Sequence, residues 1–482
     1  KSNLLTTANS KKPVGPDPAA QICLPAVMSE FEENFLMSRL TSADFISDRT
    51  AEALAATFGR RALMGSGVAG LAVASMPLDA MAADAPEAEI TVDQARTAPI
   101  PIVIPSFGGD VGSRITGVMT DDLNNTGLFK VISGSAATGT PDFSALKGMG
   151  AHAAVTGSVT GGGTIRVEFR LWDVLTGQQL QGTAYTASSA NWRRIAHIMG
   201  DVIYERMLGE KGYFDTRIGL IARSGALRNP DMRLAIMDQD GANYRVLGKG
   251  QAKLPSFNPT RDQIALLSYS GPKPRIFLFD LDSGRQRILS DFPGIPLGPH
   301  FSPDGSTILV PVAHGSGSDI YSVSVASGAV RQLTSSGGAI NVSPSFSPDG
   351  SKIAFTSDRG GSPAIYIMGA GGGDAKRISY GNGKYEECTW SPRGDLLGFT
   401  RIGGGFFLGV MNPDGTGERI MTQGYTVESP TFCPNGRVLA FSRSGPGGSG
   451  ASIGTIDITG FHERTIHTPT GAISPTWSPR NV

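Results

Sequence analysis

The sequence predicts an α+β N-terminal domain followed by an all-β, six-bladed β-propeller that the C-terminal strand closes. Three observations carry this prediction. An aromatic residue two positions before a proline recurs at Phe257, Phe301, Phe346, Trp390, Phe432 and Trp477, in steps of 44, 45, 44, 42 and 45 residues. A fixed period of this size marks a repeat array. Each unit reads as four short β-like runs between turn residues, as in "SPSF", "KIAFTS", "AIYIMG" and "AKRIS", and no run has helical length or period. The last unit has only its aromatic run, and the three runs it lacks ("RIGLIARS", "MRLAIMDQDG", "YRVLGKG") precede the first aromatic. One strand from the end and three from residues 217–250 complete a sixth blade and leave no sheet edge open, whereas a solenoid would be capped at both ends.

From the N-terminus, residues 1–59 form a leader; 1–36 are polar, Pro-containing and aperiodic, and Met37 is an alternative start. Residues 60–82 carry an arginine pair, an apolar run of about 15 residues and an Ala-x-Ala ending at Ala82. This is the pattern of an export signal cleaved between Ala82 and Ala83. The run is shorter than the roughly 20 residues a membrane-spanning helix needs, and the paired arginines also permit the twin-arginine route. A buried Ala/Gly helix is the structural alternative.

Residues 83–98 read as a mobile arm with few large apolar groups. Within it, Glu89, Ile90, Thr91, Val92 and Asp93 hold a short strand suited to pairing with the sheet edge of a partner. Residues 99–215 mix element types, with strands at "IPIVIPSF", "KVIS", "AAVTGSV", "TIRVEFRLWDV" and "QLQGTAYTAS". Helices are expected at "DVGSRITGVMTDDLNNTGLF", "DFSALKGMG" and "NWRRIAHIMGDVIYERMLGE". In the last, Ile195, Ile198, Met199, Val202, Ile203 and Met207 fall on one face. Residues 216–482 form the propeller.

Composition narrows the function. Gly is 64 of 482 residues, which suits a chain that turns this often. Lys plus Arg and Asp plus Glu are 42 each, with no basic block, so the footprint of a nucleic-acid binder is missing. "GASIG" around Ser452 matches a hydrolase nucleophile pattern, with Asp457 and His462 following. It lies in a Gly-rich hairpin, however, and not at the strand–turn–helix that the chemistry requires. The six histidines show no metal-ligand spacing. "DQDGAN", residues 238–243, lacks the later Glu of a calcium loop and reads as a hairpin turn. Cys388 and Cys433 fall on opposite strand parity, which disfavours a disulfide and leaves two buried thiols. No catalytic group, cofactor or metal is expected.

Loops that enter each aromatic strand gather at one mouth of the channel, namely residues 294–299, 339–343, 384–387, 425–429 and 470–474. Loops on a rigid scaffold are where binding side chains sit. The candidate contacts are Pro296, Asn341, Tyr385, Glu386, Glu387, Tyr425 and Glu428, the tyrosines as anchors and the carboxylates as steering charges.

The order of signal, α/β domain, "KGYFDTRIGLIAR" junction, repeated F/W-S-P-D-G units and terminal "PTWSP" resembles the TolB family of the Gram-negative Tol-Pal envelope system. The resemblance covers residues 83–482; the leader, the arginine pair and the degenerate "SFNPTRD" and "TFCPNG" motifs depart from it. It implies a non-enzymatic, monomeric periplasmic adaptor. Such a protein binds the peptidoglycan-associated lipoprotein Pal through the propeller and TolA through the arm, in support of outer-membrane integrity and cell division. After processing it does not span a membrane. The alternatives are an exported propeller hydrolase acting through Ser452 and a propeller that binds a small molecule or glycan in its channel.

Overall fold

The computed structural model describes residues 98–134, 138–226, 229–248 and 250–480. The calls at Ala82 and Ala83 and at the arm, Glu89 to Asp93, lie outside the described residues.

The α+β layer begins with strand β1 (Ile100–Val103), followed by helix α1 (Gly109–Asn125), strand β2 (Phe129–Ile132) and the short helix α2 (Phe143–Gly148). Strands β3 (Ala153–Gly161), β4 (Thr164–Asp173) and β5 (Gln179–Ser188) lead into helix α3 (Trp192–Leu208). The sheet order is β2-β1-β3-β4-β5, parallel from β1 to β2 and β3 and antiparallel beyond. Strand periodicity sorts the side chains to two faces. Ile102, Ala153 and Val155 pack with the helix residues Ile115, Met119 and Met199. Their neighbours Val103 and Ala154 turn to the other side, against Leu146 and Val174.

Helix α3 buries Ile195, Ala196, His197, Met199, Gly200, Ile203 and Tyr204. The expected stripe through Ile198, Val202 and Met207 is therefore rotated, and those three are half-buried. The cause lies in the partners. His197 and Tyr204 find polar and aromatic neighbours, and Gly200 lets Phe214 approach so closely that an added Cβ would sit 3.0 Å from its ring. The helix stops at Gly209, whose φ of 74° provides the left-handed cap.

Six blades follow, their spacing that of the aromatic repeat; five are four-stranded, and the second has five strands because its inner strand is broken in two. The aromatic strands touch one another in a closed ring: Ala252–Phe257, His300–Phe301, Asn341–Phe346, Lys384–Trp390, Thr426–Phe432 and Gly471–Trp477. They are the inner strands. The sixth blade pairs Gly471–Trp477 with Arg217–Ser224, and Asp231–Asp238 and Arg245–Val246 complete it.

Each conserved piece of the repeat unit has a physical task. In "SFSPDGSK" the Ser347 hydroxyl donates to Asp349 at 2.5 Å, Asp349 accepts from the Ser351 amide at 3.0 Å, and Gly350 turns the chain at φ 70°. These donors hold the Asp349 carboxyl down at about 2. The residue before the aromatic links blades. The amides of Trp390, Trp477 and Phe257 donate to the hydroxyls of Ser345, Thr431 and Thr476 in the preceding blade, at 2.9, 3.4 and 2.9 Å.

The α+β layer is not sealed off from the propeller. The linker rings Tyr213 and Phe214 meet Tyr204 edge-on at 6.1 and 5.8 Å, and Tyr213 meets Trp477 at 6.0 Å. One apolar cluster therefore runs from Ile102 through Tyr204 to Ile218, Cys433 and Trp477.

Candidate functional site at the propeller mouth

Three positions relative to the repeat aromatic build the mouth. Three residues before it, a non-glycine adopts a left-handed backbone at Leu254, Ser343, Glu387, Ser429 and Ser474, with φ from 49° to 56°. The inner strand shifts register there in all five blades. In the second blade the inner strand is broken at the same place, between Ile295–Pro296 and His300–Phe301. Left-handed non-glycine residues carry backbone strain that persists only where the surrounding structure holds them, here at one position of five blades.

A bulge switches strand parity. Five residues before the aromatic, every side chain is buried: Ala252, Pro296, Asn341, Tyr385, Val427 and Ala472. Three expected contacts fall on this position and are corrected by it. Tyr385 is fully buried against Phe399 at 5.2 Å, and its hydroxyl donates to Glu418 at 2.6 Å. Asn341 is fully buried and donates to the Ser318 carbonyl at 2.7 Å, while Arg359 donates to its Oδ1 at 2.8 Å. Pro296 is buried in a two-residue strand. All three brace the mouth from within, so none is a surface anchor.

The remaining four stay accessible. Glu386 and Glu428 stand four before the aromatic and Glu387 three before, all half-buried, and Tyr425 is 45% exposed. The structure joins two of these blades through Glu387, whose carboxylate accepts from the Ser429 amide at 2.6 Å and from Thr400 at 3.1 Å. Arg401 and Glu418 pair at 2.6 Å behind Tyr385. Three half-buried carboxylates and the exposed Tyr425 ring thus stand on the segments that enter the inner strands of the fourth and fifth blades.

The hydrolase pattern has no such support. Ser452 opens a regular strand, Ser452–Asp457, and the Asp457 carboxylate accepts from Arg437 at 2.6 Å and from the Thr459 hydroxyl at 2.6 Å. Cys388 and Cys433 are free and buried in different clusters.

A second polar concentration, absent from the sequence reading, lies between α3 and the sixth blade. His197 Nδ1 is 2.6 Å from Asp122 Oδ2, Gln239 donates to the other Asp122 oxygen at 2.8 Å, and Arg193 reaches Asp240 and, at 3.4 Å, Asp238. Burial pulls the His197 pKa down, but Asp122, Asp240 and Asp238 pull it up, and the net shift is upward. Asp122, His197 and Asp240 offer ligand atoms within 4.8 Å of one another, yet Arg193 and Gln239 already occupy the carboxylates. "DQDGAN" is the hairpin turn expected, with Gly241 at φ 94°. Its aspartates serve the layer contact, and no spacing rule could reveal that because their partners Arg193 and His197 come from a helix more than 40 residues earlier in the chain.

Comparison with known proteins agrees with this architecture. Residues 88–180 match the model of the TolB amino-terminal domain, and residues 204–481 match that of the TolB beta propeller domain. The chain is 65% identical over 451 residues to the Tol-Pal system protein TolB of Gluconobacter oxydans, covering 91% of this chain and 99% of that one. The crystal structure of TolB from Acinetobacter baumannii superposes with a TM-score of 0.71 at 26% identity, covering 80% of this chain and 97% of that one. No helix among the described residues is long and apolar enough to cross a membrane, which says nothing of β-barrel spans. A six-bladed propeller closed by its last strand, an α+β layer built onto it and a 65% identical relative together show that the chain belongs to the TolB family.

Proposed function

We propose that this protein is a periplasmic, non-enzymatic adaptor of the Tol-Pal system that binds Pal at the propeller mouth and TolA through residues 83–97. The observation that carries the reading is the 65% identity, over almost the whole relative, to a Tol-Pal system protein. The mouth supports it. Half-buried Glu386, Glu387 and Glu428 and exposed Tyr425 supply the steering charge and the aromatic anchor that a protein partner uses, and the bulged strands fix the backbone of the three glutamates, which lowers the ordering cost of binding.

The test is a titration of purified Pal and TolA against two variants. Tyr425→Ala with Glu386→Ala weakens Pal binding by about 30-fold or more, the scale of a hot spot of about 2 kcal/mol, and leaves TolA binding intact. Deleting residues 83–97 abolishes TolA binding and spares Pal. Undiminished Pal affinity in the folded double variant places the Pal face elsewhere, and equal loss of both partners on deletion overturns the division of labour.

A further inference from the structure

A solvent-open cavity of about 490 Å³ lies where α3, the sixth blade, the first blade and the segment after the closing strand converge. Its wall contains five arginines against three aspartates. Three of the cations are matched: Arg193 with Asp238, Arg194 with Asp215 at 3.2 Å, and Arg217 with Asp262 at 2.5 Å. Arg261 and Arg480 are the surplus. Both are exposed at the cavity, and among the described residues neither guanidinium meets a carboxylate.

A second observation comes from the cavity's inner end. His197 is part of the wall and its side chain is only 4% exposed. Its Nδ1 is engaged by Asp122, while Nε2 is buried without a hydrogen-bond partner, the nearest carboxylate oxygen being 3.9 Å away on Asp240. Burial lowers the His197 pKa while Asp122, Asp240 and Asp238 raise it, with a net upward shift, and when the ring is protonated Nε2 is a donor. A buried N–H donor left unsatisfied costs about 1–3 kcal/mol, and an oxyanion reaching it from the cavity would supply the missing acceptor. Guanidinium forks match phosphate and carboxylate oxygens, and cavities of this size at layer boundaries are where small ligands bind.

We propose that this cavity is a binding site for a small, doubly charged oxyanion, a phosphate or a dicarboxylate, with Arg261 and Arg480 at its entrance and His197 in its inner wall. The site lies apart from the mouth and does not depend on the Pal and TolA reading. Binding there bridges α3 to the first and sixth blades, so an occupant ties the α+β layer to the propeller.

The experiment titrates purified protein by calorimetry and thermal melting with inorganic phosphate, pyrophosphate and succinate, at fixed ionic strength held with chloride. Saturable binding below about 1 mM is expected for at least one of them, with a rise in Tm; phosphates alone or succinate alone identifies the source. R261Q with R480Q leaves the melting temperature without ligand unchanged, because both side chains are exposed, and weakens binding at least tenfold. His197→Gln, whose amide can still donate, retains more affinity than His197→Leu. No saturable response to any of the three anions, or equal binding by the arginine double variant, overturns the proposal.

Discussion

Tyr385 separates a buried brace from a surface anchor, and two substitutions measure which it is. Its ring is fully buried with Phe399, Trp390, Cys388 and Leu397, so Tyr385→Ala removes an aromatic from a packed cluster. Losses of this kind cost about 3–5 kcal/mol. Tyr385→Phe keeps the ring and removes one hydrogen bond to a carboxylate, worth about 1.5–3 kcal/mol. The lower end applies, because Glu418 retains Arg401 at 2.6 Å. Burial pushes the Tyr385 hydroxyl up to about 12, so it stays a donor across the usable pH range. Urea unfolding at pH 7 therefore orders wild type, Phe and Ala with steps of about 1.5 and then a further 2–3 kcal/mol, and the Ala variant melts several degrees lower. Pal binding by the Phe variant matches wild type. If Tyr385→Ala is as stable as wild type yet loses Pal, the ring is at the surface and the parity argument fails.

Three further outcomes follow from named contacts. Asp201 accepts from the Phe214 and Asp215 amides, and burial raises its carboxyl to about 6. The stability it contributes is thus complete below its unfolded pKa near 3.8 and lost as pH rises through about 6, a swing on the order of 3 kcal/mol; Asp201→Asn flattens the urea-midpoint profile between pH 4 and 7, and an unchanged profile refutes the assignment. Burial pushes both Cys388 and Cys433 up to about 12, so a thiol-reactive disulfide reagent labels neither in the native protein at pH 8 and both in urea, and rapid native labelling counts against their burial. Trp477→Phe loses the 2.8 Å bond from its indole to Thr216 and leaves that hydroxyl with only the Tyr213 carbonyl; a loss of about 1–2 kcal/mol is expected in urea, and a neutral change would mean the indole is not engaged.

Most of the fold was legible because its signals are local. The aromatic, the proline and the Asp-Gly turn recur within one blade, and the three orphan strands at residues 217–250 pointed to ring closure. Site residues were less legible. Counting alternate residues from Trp390 puts Tyr385 on the face opposite Cys388 and Trp390, whereas the bulge at Glu387 returns it to theirs. Nothing in the local sequence marks a left-handed Glu or Ser, since Gly is the residue that announces such a turn. The Asp122, His197 and Asp240 group was invisible for a different reason: its members come from two helices and a hairpin, and only the packed structure assembles them.

Closure by the final strand also sets the order in which the chain can acquire its structure. Thr476 pairs with Gly219, a separation of 257 residues. Until the strand Gly471–Trp477 has been made and docked, the sixth sheet lacks its innermost member, and the strand Arg217–Ser224 presents an unsatisfied row of amides and carbonyls. Joining such distant segments carries a loop-closure cost that grows with their spacing, and contacts of this range fold slowly. The ring is consequently the last thing to form, and an interruption of synthesis short of residue 471 yields a five-sheet arc with an adhesive edge. Because Trp477 also packs on Tyr213, the same late event completes the seam between propeller and α+β layer, so a chain that fails to close is exposed at both places at once.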